Sequence, residues 1–238
     1  MARHLSMVFM NAAPGRDEAF NKWSEQHVDE VVSNIPLVVS GQRYRLSPLQ
    51  REGTRPGQWE YLTLLAIDTD DLSGVRAAVT ALEGGGPLTP DDGTVAGGHA
   101  TWVYTALGDR QLESEAAKSA KPQLGSGKHV FVALTNATTG REEDFLRWYD
   151  AHIPEVLEGF AGLVTGRFFR SSDAQPKGMS PTWRYLALYD LLTDEVSEYL
   201  RLEKTSHTPT EDHGALDHEY AVWIYSELGP TRPAGGED

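Results

Sequence analysis

The sequence predicts an α+β protein made of two similar units, each with the element order βαββαβ, whose sheets pack against each other. Three observations predict this fold. The chain repeats itself, each copy alternates between strand and helix periodicity, and both copies carry rows of aromatic residues that need burial. With 238 residues the chain is long enough for one large domain or for two small ones with a core each.

The repeat appears when the chain is shifted by 125 residues, which aligns positions 3–47 with 128–172 without a gap. Later stretches match as well, for example "WEYLTLLAIDTDDLS" with "WRYLALYDLLTDEVS". We interpret this as a tandem duplication of a unit of about a hundred residues, a period far longer than that of a solenoid repeat. Identical pairs include Asn11 and Asn136, Trp23 and Trp148, His27 and His152, Glu30 and Glu155, Gly41 and Gly166, and Arg45 and Arg170.

The repeat also predicts the domain boundaries. Residues 1–110 form the first repeat and residues 128–230 the second. Between them, residues 111–127 are polar and end in Pro, Gly and Ser, which indicates a linker. Residues 231–238 are rich in Gly, Pro and charge, and we expect a disordered tail there.

Each element of the unit follows from a local pattern, which is clearest in the second repeat. "HVFVALTN" is a short apolar, β-branched run that ends in a turn residue, so it predicts a strand. "GREEDFLRWYDAHIPEVLEGF" has apolar residues at spacings of three and four after an acidic first turn, which predicts a helix. "LVTGRFFR", "WRYLALYDL" and "VWIYSEL" predict strands, and "TDEVSEYLRLEK" predicts a second helix that begins at a threonine cap. This order is the ferredoxin-like plan, an antiparallel four-stranded sheet with two helices on one face.

Aromatic residues predict how the two sheets are arranged. They occur at a spacing of two in the third and fourth strands of each unit, so neighbours in each pair should share one face. Since the helices cover only one face, this aromatic surface must be buried in another way. Sheet-to-sheet packing within the chain would do so and would give an intrachain pseudo-dimer. We expect the whole chain to be a monomer or to form a homodimer. The residues are Trp59, Tyr61, Trp102, Tyr104, Trp183, Tyr185, Trp223 and Tyr225.

Composition excludes several classes of function. The chain has no cysteine, which excludes disulfides, thiolate nucleophiles and cysteine-ligated metals. Its net charge is −14 and its 21 basic residues are scattered, so we expect no nucleic-acid partner. No apolar run approaches the roughly 18 residues of a membrane span, and no secretory signal begins the chain. We therefore expect a cytoplasmic protein without a membrane partner.

The segment "FLRWYDAHIPEVLEGFAGLVTGRFFR" resembles the EthD-like members of the dimeric α+β barrel superfamily, in which a Trp-Tyr pair, a His-Ile-Pro and a glycine before the second strand recur. The resemblance is closer in the second repeat, because the first has Ser24 in place of Tyr149 and Asp29 in place of Pro154. It implies an intrachain dimeric α+β barrel. The superfamily includes cofactor-free monooxygenases, polyketide cyclases, isomerases, dehydratases and haem enzymes, so the chemistry stays open.

The candidate catalytic residues are His152, Tyr149 and His27. His152 shares a helical stripe with Trp148, so its ring should face the sheet, where burial and a nearby carboxylate can poise it for proton transfer. Tyr149 would hydrogen-bond a substrate oxygen. The alternative is a structural histidine bonded to a carbonyl, and the resemblance favours catalysis because cavities in this superfamily open between the first helix and the sheet. His27 lacks a Tyr149 counterpart, so we expect the working site in the second repeat.

Five further residues are candidates for substrate binding. Trp148 and Glu155 flank the histidine, and Arg170 would hold a carboxylate or phenolate unless it is simply solvated. Asn136 is either a turn residue or, as the resemblance implies, a polar contact to a ligand. His207 would reach in from a loop. The acidic and histidine-rich stretch around His207 matches no compact metal motif, so we predict no metal site.

These residues predict a cofactor-independent enzyme that applies general acid–base chemistry to a small oxygenated aromatic or polyketide-like molecule. A lyase or dehydratase, an isomerase or a cyclase would all suit. The alternatives are a cofactor-free monooxygenase, a haem-binding protein, and a non-catalytic ligand-binding or assembly protein. Phosphate-binding loops and serine-hydrolase elbows are absent from the sequence, which disfavours nucleotide cofactors and serine hydrolysis.

Overall fold

The computed structural model describes residues 3–83, 88–206 and 210–234. The first unit contains the six predicted elements in the predicted order. They are β1 (His4–Ala12), α1 (Asp17–Asn34), β2 (Val38–Leu46), β3 (Tyr61–Ile67), α2 (Leu72–Glu83) and β4 (Val95–Ala106).

The second unit has the same order and is preceded by two short elements, β5 (Gln111–Leu112) and α3 (Glu115–Ala120), which lie within the segment predicted to be a linker. Strand β9 continues to Pro233, so it extends into the segment where we expected a disordered tail. Helix α5 begins three residues after Thr193, the predicted cap, whose hydroxyl instead accepts a hydrogen bond from the Glu195 amide. The unit consists of β6 (Lys128–Thr135), α4 (Glu142–Gly159), β7 (Leu163–Ser171), β8 (Tyr185–Leu192), α5 (Val196–Glu203) and β9 (Ala221–Pro233).

The strands form a closed antiparallel barrel. The order is β4-β1-β3-β2 in the first unit and β9-β6-β8-β7 in the second. Strand β2 pairs with β9, and β4 pairs with β7, so the two four-stranded sheets join along both edges. The predicted fold is confirmed: two βαββαβ units pack as an intrachain α+β barrel.

Helices lie only on the outside of the barrel. Helices α1 and α2 pack on the outer face of the first sheet, and α4 and α5 pack on the outer face of the second. Each unit therefore has a helix-covered core of its own, separate from the barrel interior that both units share. Among the residues that the structure describes, no helix is both long enough and apolar enough to span a bilayer.

Six of the eight predicted aromatic side chains face the barrel interior, but Tyr61 and Tyr185 do not. The Tyr61 ring lies 4.4 Å from that of Phe20 on α1, and the Tyr185 ring lies 4.7 Å from that of Phe145 on α4. The prediction that each third strand directs both of its aromatics to one face was therefore wrong.

The alternation fails because the chain bends at Glu60 and Arg184, directly before β3 and β8. The side chain of Asn11 accepts a hydrogen bond from the Glu60 amide at 2.7 Å and donates one to a carbonyl two residues earlier. Asn136 makes the same pair of bonds in the second unit, with the Arg184 amide at 2.7 Å. Both asparagines hold a bend that turns the preceding tryptophan inward and the following tyrosine outward.

Replacing Asn136 with alanine should lower the free energy of unfolding by about 1–2 kcal/mol, because the Arg184 amide at the bend loses its acceptor. Asn11→Ala should behave alike. Urea denaturation measures the effect, with Asn34→Ala as the control: Asn34 lies at the exposed end of α1, so its replacement should change stability by less than about 0.5 kcal/mol. Equal effects of Asn136→Ala and Asn34→Ala would contradict a role for the asparagine in holding the bend.

Candidate functional site

A cavity of about 600 Å³ lies between α1 and the sheet of the first unit. Its wall is mainly apolar with a few polar side chains, the composition typical of sites for small molecules. Two residues of the second unit, Pro176 and Met179, complete the wall. The first unit contributes Val8, Met10, Trp23, Ser24, His27, Val28, Val31, Thr63, Leu65, Val79, Asp91, Val95, Gly98, His99 and Thr101.

The corresponding space in the second unit is filled by Tyr149. This side chain is 3% exposed, and its ring stacks on Phe168 with centroids 4.1 Å apart. Its hydroxyl lies 3.3 Å from that of Thr135. The first unit has Ser24 at the aligned position, which is buried but too small to fill the same space.

At two other aligned positions the second unit has an aromatic ring and the first unit does not. Leu65 lines the cavity, whereas its counterpart Tyr189 is a fully buried aromatic of the second unit. Phe168 aligns with Arg43, whose guanidinium turns away to donate a hydrogen bond to Asn21 at 2.7 Å. Aromatic rings thus occupy the second unit where the first unit is open.

His27 stands on the cavity wall. Its ring stacks on Trp23 with centroids 4.9 Å apart and an interplanar angle of 23°. The Nδ1 atom is buried and has no hydrogen-bond partner among the described residues. Burial lowers the pKa of His27 below its usual value of 6.5, although Glu30 and the backbone of Thr89 act in the opposite direction. The imidazole is therefore mostly neutral at pH 7 and able to accept a proton.

Beside His27, Trp23 and Glu30 of α1 bind Thr89 in the loop before β4. We call this set of hydrogen bonds the latch. The carboxylate of Glu30 accepts hydrogen bonds from the amide and the hydroxyl of Thr89, both at 2.6 Å. Trp23 donates its indole N–H to the Thr89 carbonyl at 3.1 Å. The bonds from Thr89 lower the pKa of Glu30 to about 2, so this carboxylate is ionised and engaged in holding the loop.

The same latch occurs in the second unit. Trp148 donates to the Thr210 carbonyl at 2.8 Å, and Glu155 accepts from the Thr210 amide at 2.8 Å and from its hydroxyl at 2.6 Å. His152 stacks on Trp148 with centroids 4.1 Å apart. Its Nδ1 is likewise buried without a partner in the described part of the chain, and burial lowers its pKa to about 4. The shared Trp and Glu therefore hold the loop before the last strand in both units.

What distinguishes the two histidines is their surroundings. His27 borders an open cavity, while His152 packs edge-on against Tyr149 at 5.6 Å. We expected the working site beside His152 because Tyr149 occurs only there. In this structure the Tyr149 ring is packed into the space that corresponds to the cavity of the first unit.

Four of the remaining predicted site residues, Trp148, Glu155, Asn136 and Arg170, do not border the cavity. Trp148 and Glu155 belong to the latch, and Asn136 holds the bend before β8. Arg170 is exposed on β7. His207 lies outside the described residues. Among the described residues, no group of three or more His, Asp or Glu side chains could hold a metal ion.

The sequence analysis did not predict several lining residues, notably Thr63, Thr101 and Met179. A signal was available, because the aligned pairs Ser24/Tyr149 and Leu65/Tyr189 both place the larger side chain in the second unit. A systematic comparison of side-chain volumes between the repeats would have indicated where space remains.

The cavity wall carries little charge. The described lining residues include no lysine or arginine, and Asp91 is the one carboxylate among them. That carboxylate is used in the loop, where it accepts hydrogen bonds from the Thr94 amide at 2.8 Å and from the Thr94 hydroxyl at 2.6 Å. The wall therefore suits a neutral or weakly acidic molecule better than a carboxylate or phosphate.

No protein-family model and no curated protein matches the sequence. Solved structures do match over nearly the whole chain. An anthrone oxidase-like protein aligns with a TM-score of 0.62 and 11% identity, over 99% of this chain and 94% of that one. A monooxygenase-like protein of Fusobacterium nucleatum has a TM-score of 0.58 and 9% identity, over 100% and 97%.

A mutant chlorite dismutase from Candidatus Nitrospira defluvii aligns with a TM-score of 0.53 and 11% identity, over 95% of this chain and 90% of that one. At such low identity these similarities concern the fold alone. They agree with the strand order and barrel closure in assigning this chain the dimeric α+β barrel architecture.

Proposed function

We propose that this chain is a cofactor-independent enzyme whose first unit binds a small oxygenated aromatic or polyketide-like molecule and removes a proton from it with His27. The observation that carries the proposal is a neutral imidazole on the wall of a largely apolar cavity of about 600 Å³. A positioned base of this kind typically contributes a factor of about 10²–10⁴ to the rate.

The wall supports this substrate class. Ligand sites of roughly 300–1,000 Å³ hold drug-sized molecules, so two or three fused rings would fit. The lining includes the hydroxyls of Ser24, Thr63 and Thr101, which can hydrogen-bond phenol or ketone oxygens. With no lysine or arginine among the described lining residues, a phenol or an activated CH₂ group is favoured over a carboxylate.

Oxygenation is the reaction that we favour after proton removal. The substrate carbanion or phenolate is electron-rich and poorly solvated in an apolar cavity, so it can transfer electrons to O₂. Overall, a CH₂ group and O₂ give a carbonyl and water: one oxygen atom enters the product, and the other leaves as water with both hydrogens of the CH₂ group. The likeness of the fold to anthrone oxidase-like and monooxygenase-like proteins supports this choice.

Elimination, isomerisation and cyclisation would share the same first step and differ only in what the anion does next. Such reactions need a donor that returns a proton to a different atom of the substrate. Protonated His27 is suited to that role, so a lyase, isomerase or cyclase is the second candidate. Oxygen dependence separates the two.

The test is oxygen uptake with anthrone as the first substrate. We expect uptake above the enzyme-free rate, one O₂ consumed per substrate, and one ¹⁸O atom in the product when the reaction is run under ¹⁸O₂. Turnover that continues at the same rate under nitrogen would refute oxygenation and favour the second candidate. Ligand binding without any turnover across a panel of phenols and ketones would identify a binding protein instead.

Haem, which some proteins of this fold use, fits the cavity poorly. A haem carries two propionate carboxylates, whereas the described lining residues offer them no lysine or arginine and include Asp91. The proposed reaction therefore does not use haem. A Soret band in the purified protein would contradict this conclusion.

We also infer that the two units arose by tandem duplication. The latch formed with Thr89 and Thr210 and the bends held by Asn11 and Asn136 support it, since each recurs with the same donors and acceptors. The closer resemblance to EthD-like proteins stays a prediction.

A further inference from the structure

The loop that follows β7 in the second unit crosses to the first unit and forms part of the cavity wall through Pro176 and Met179. The site is therefore not contained in one repeat. Met179 is half-buried and stands in the same wall as Ser24 and Thr101.

Four hydrogen bonds fix this loop to β4. The Ser172 amide donates to the Val103 carbonyl at 2.8 Å. The side chain of Gln175 accepts from the Val103 amide at 3.0 Å and donates to the Val103 carbonyl at 2.6 Å. Further along, the Met179 sulfur accepts from the Thr101 amide at 3.2 Å. The position of Met179 is thus set by backbone bonds to the other unit.

The equivalent loop of the first unit binds β9 in the same manner but carries a different side chain. Gln50 accepts from the Ile224 amide at 2.9 Å and donates to its carbonyl at 2.8 Å. Thr54, 125 residues before Met179, accepts from the Val222 amide at 3.0 Å. A threonine therefore lies at the loop position facing the filled unit, and a methionine lies at the position facing the cavity.

We propose that Met179 is a specificity-determining residue that sets the size of the ring system accepted by the cavity of the opposite unit. A thioether is flexible and makes favourable contacts with aromatic rings, so methionine suits a wall against which an aromatic ligand packs. The inference rests on the proposed function for its ligand class, and its test uses binding alone.

The chain has four methionines, which makes methyl NMR with ¹³C-methyl methionine a direct readout. Met10 and Met179 line the cavity, whereas Met7 faces the barrel interior. The probes are phenol, 1-naphthol and anthrone, added under nitrogen so that no oxidation occurs. We expect ring currents of bound probes to shift the Met10 and Met179 signals and to leave the Met7 signal in place.

Met179→Thr tests the size limit. Threonine keeps an oxygen that can accept from the Thr101 amide, as Thr54 does toward Val222, so the loop should stay attached. The variant removes bulk from the wall, and we expect the affinity for anthrone relative to phenol to rise roughly tenfold. Thr54→Met is the matched control, because it makes the reverse change over the filled unit and should leave the relative affinities unchanged.

Each failure has a distinct signature. If probes shift Met10 but Met179→Thr ranks the three probes as the wild type does, the inference is overturned and the proposed site stands. An equal change of ranking in Thr54→Met would also overturn the inference. If no probe shifts either cavity methyl, both the inference and the proposed function fail.

Discussion

Replacing Ser24 with tyrosine should weaken the binding of 1-naphthol at least 100-fold, equivalent to about 2.7 kcal/mol. The new ring would enter the cavity of the first unit as Tyr149 enters the same space in the second, where it stacks on Phe168 and is 3% exposed. Titration followed by the protein's tryptophan fluorescence, to which Trp23 on the cavity wall contributes, measures the loss.

Ser24→Ala is the control for this variant, since it removes the hydroxyl and leaves the space open. It should bind 1-naphthol within a few-fold of the wild type. The reverse change, Tyr149→Ser, should lower the free energy of unfolding by about 3–5 kcal/mol, because it empties a packed aromatic site. If Ser24→Tyr bound the probe as tightly as Ser24→Ala, the cavity would not be the ligand site.

Replacing His27 with glutamine should lower kcat by about 10²–10⁴-fold and change KM little, because an amide fills similar space but cannot accept the substrate proton. His152→Gln is the matched comparison. It occupies the aligned position, stacks on its tryptophan in the same way and contacts Tyr149 rather than a cavity. Steady-state oxygen uptake on both variants measures the difference. A larger loss of kcat in His152→Gln than in His27→Gln would indicate that the active site lies in the second unit.

The pH dependence of kcat/KM, which reports ionisation of the free enzyme, should also depend on His27. Burial lowers the pKa of His27 below 6.5, so the neutral base predominates above that lowered pKa. Activity should therefore rise with pH through a midpoint below 6.5 and stay level to pH 8. Because the unfolded state binds the proton more tightly, this histidine also makes stability fall as pH drops below 6.5. A kcat/KM that declines between pH 5 and 7 would exclude His27 as the base.

Most of the fold could be predicted because local patterns and the repeat agree. Strand and helix periodicities predict the same element order in both halves, and rows of aromatic residues require sheet-to-sheet burial. The orientation of Tyr61 and Tyr185 could not be predicted in this way. Strict alternation assumes an unbroken strand, and the bends held by Asn11 and Asn136 depend on bonds between residues nearly fifty positions apart.

The location of the cavity was harder to predict from the sequence. Sequence comparison identified the difference between Ser24 and Tyr149, but an aromatic hydroxyl suggests chemistry as readily as packing. Whether Tyr149 lines a cavity or fills it depends on Phe168 on β7 and Tyr189 on β8, which are aromatic where the aligned Arg43 and Leu65 are not. Whether a cavity remains depends on the summed side-chain volumes of several elements, so no single position predicts it.

Because the barrel closes within one chain, its two halves can differ in sequence. In a dimer of identical chains, a serine at one site is a serine at both, so a cavity can be neither filled nor reshaped in one half alone. Here Ser24 and Tyr149 are encoded separately, as are Thr54 and Met179. One half can thus be packed with aromatic rings and contribute part of the cavity wall, while the other half keeps the cavity open. Strict twofold symmetry forbids such a difference.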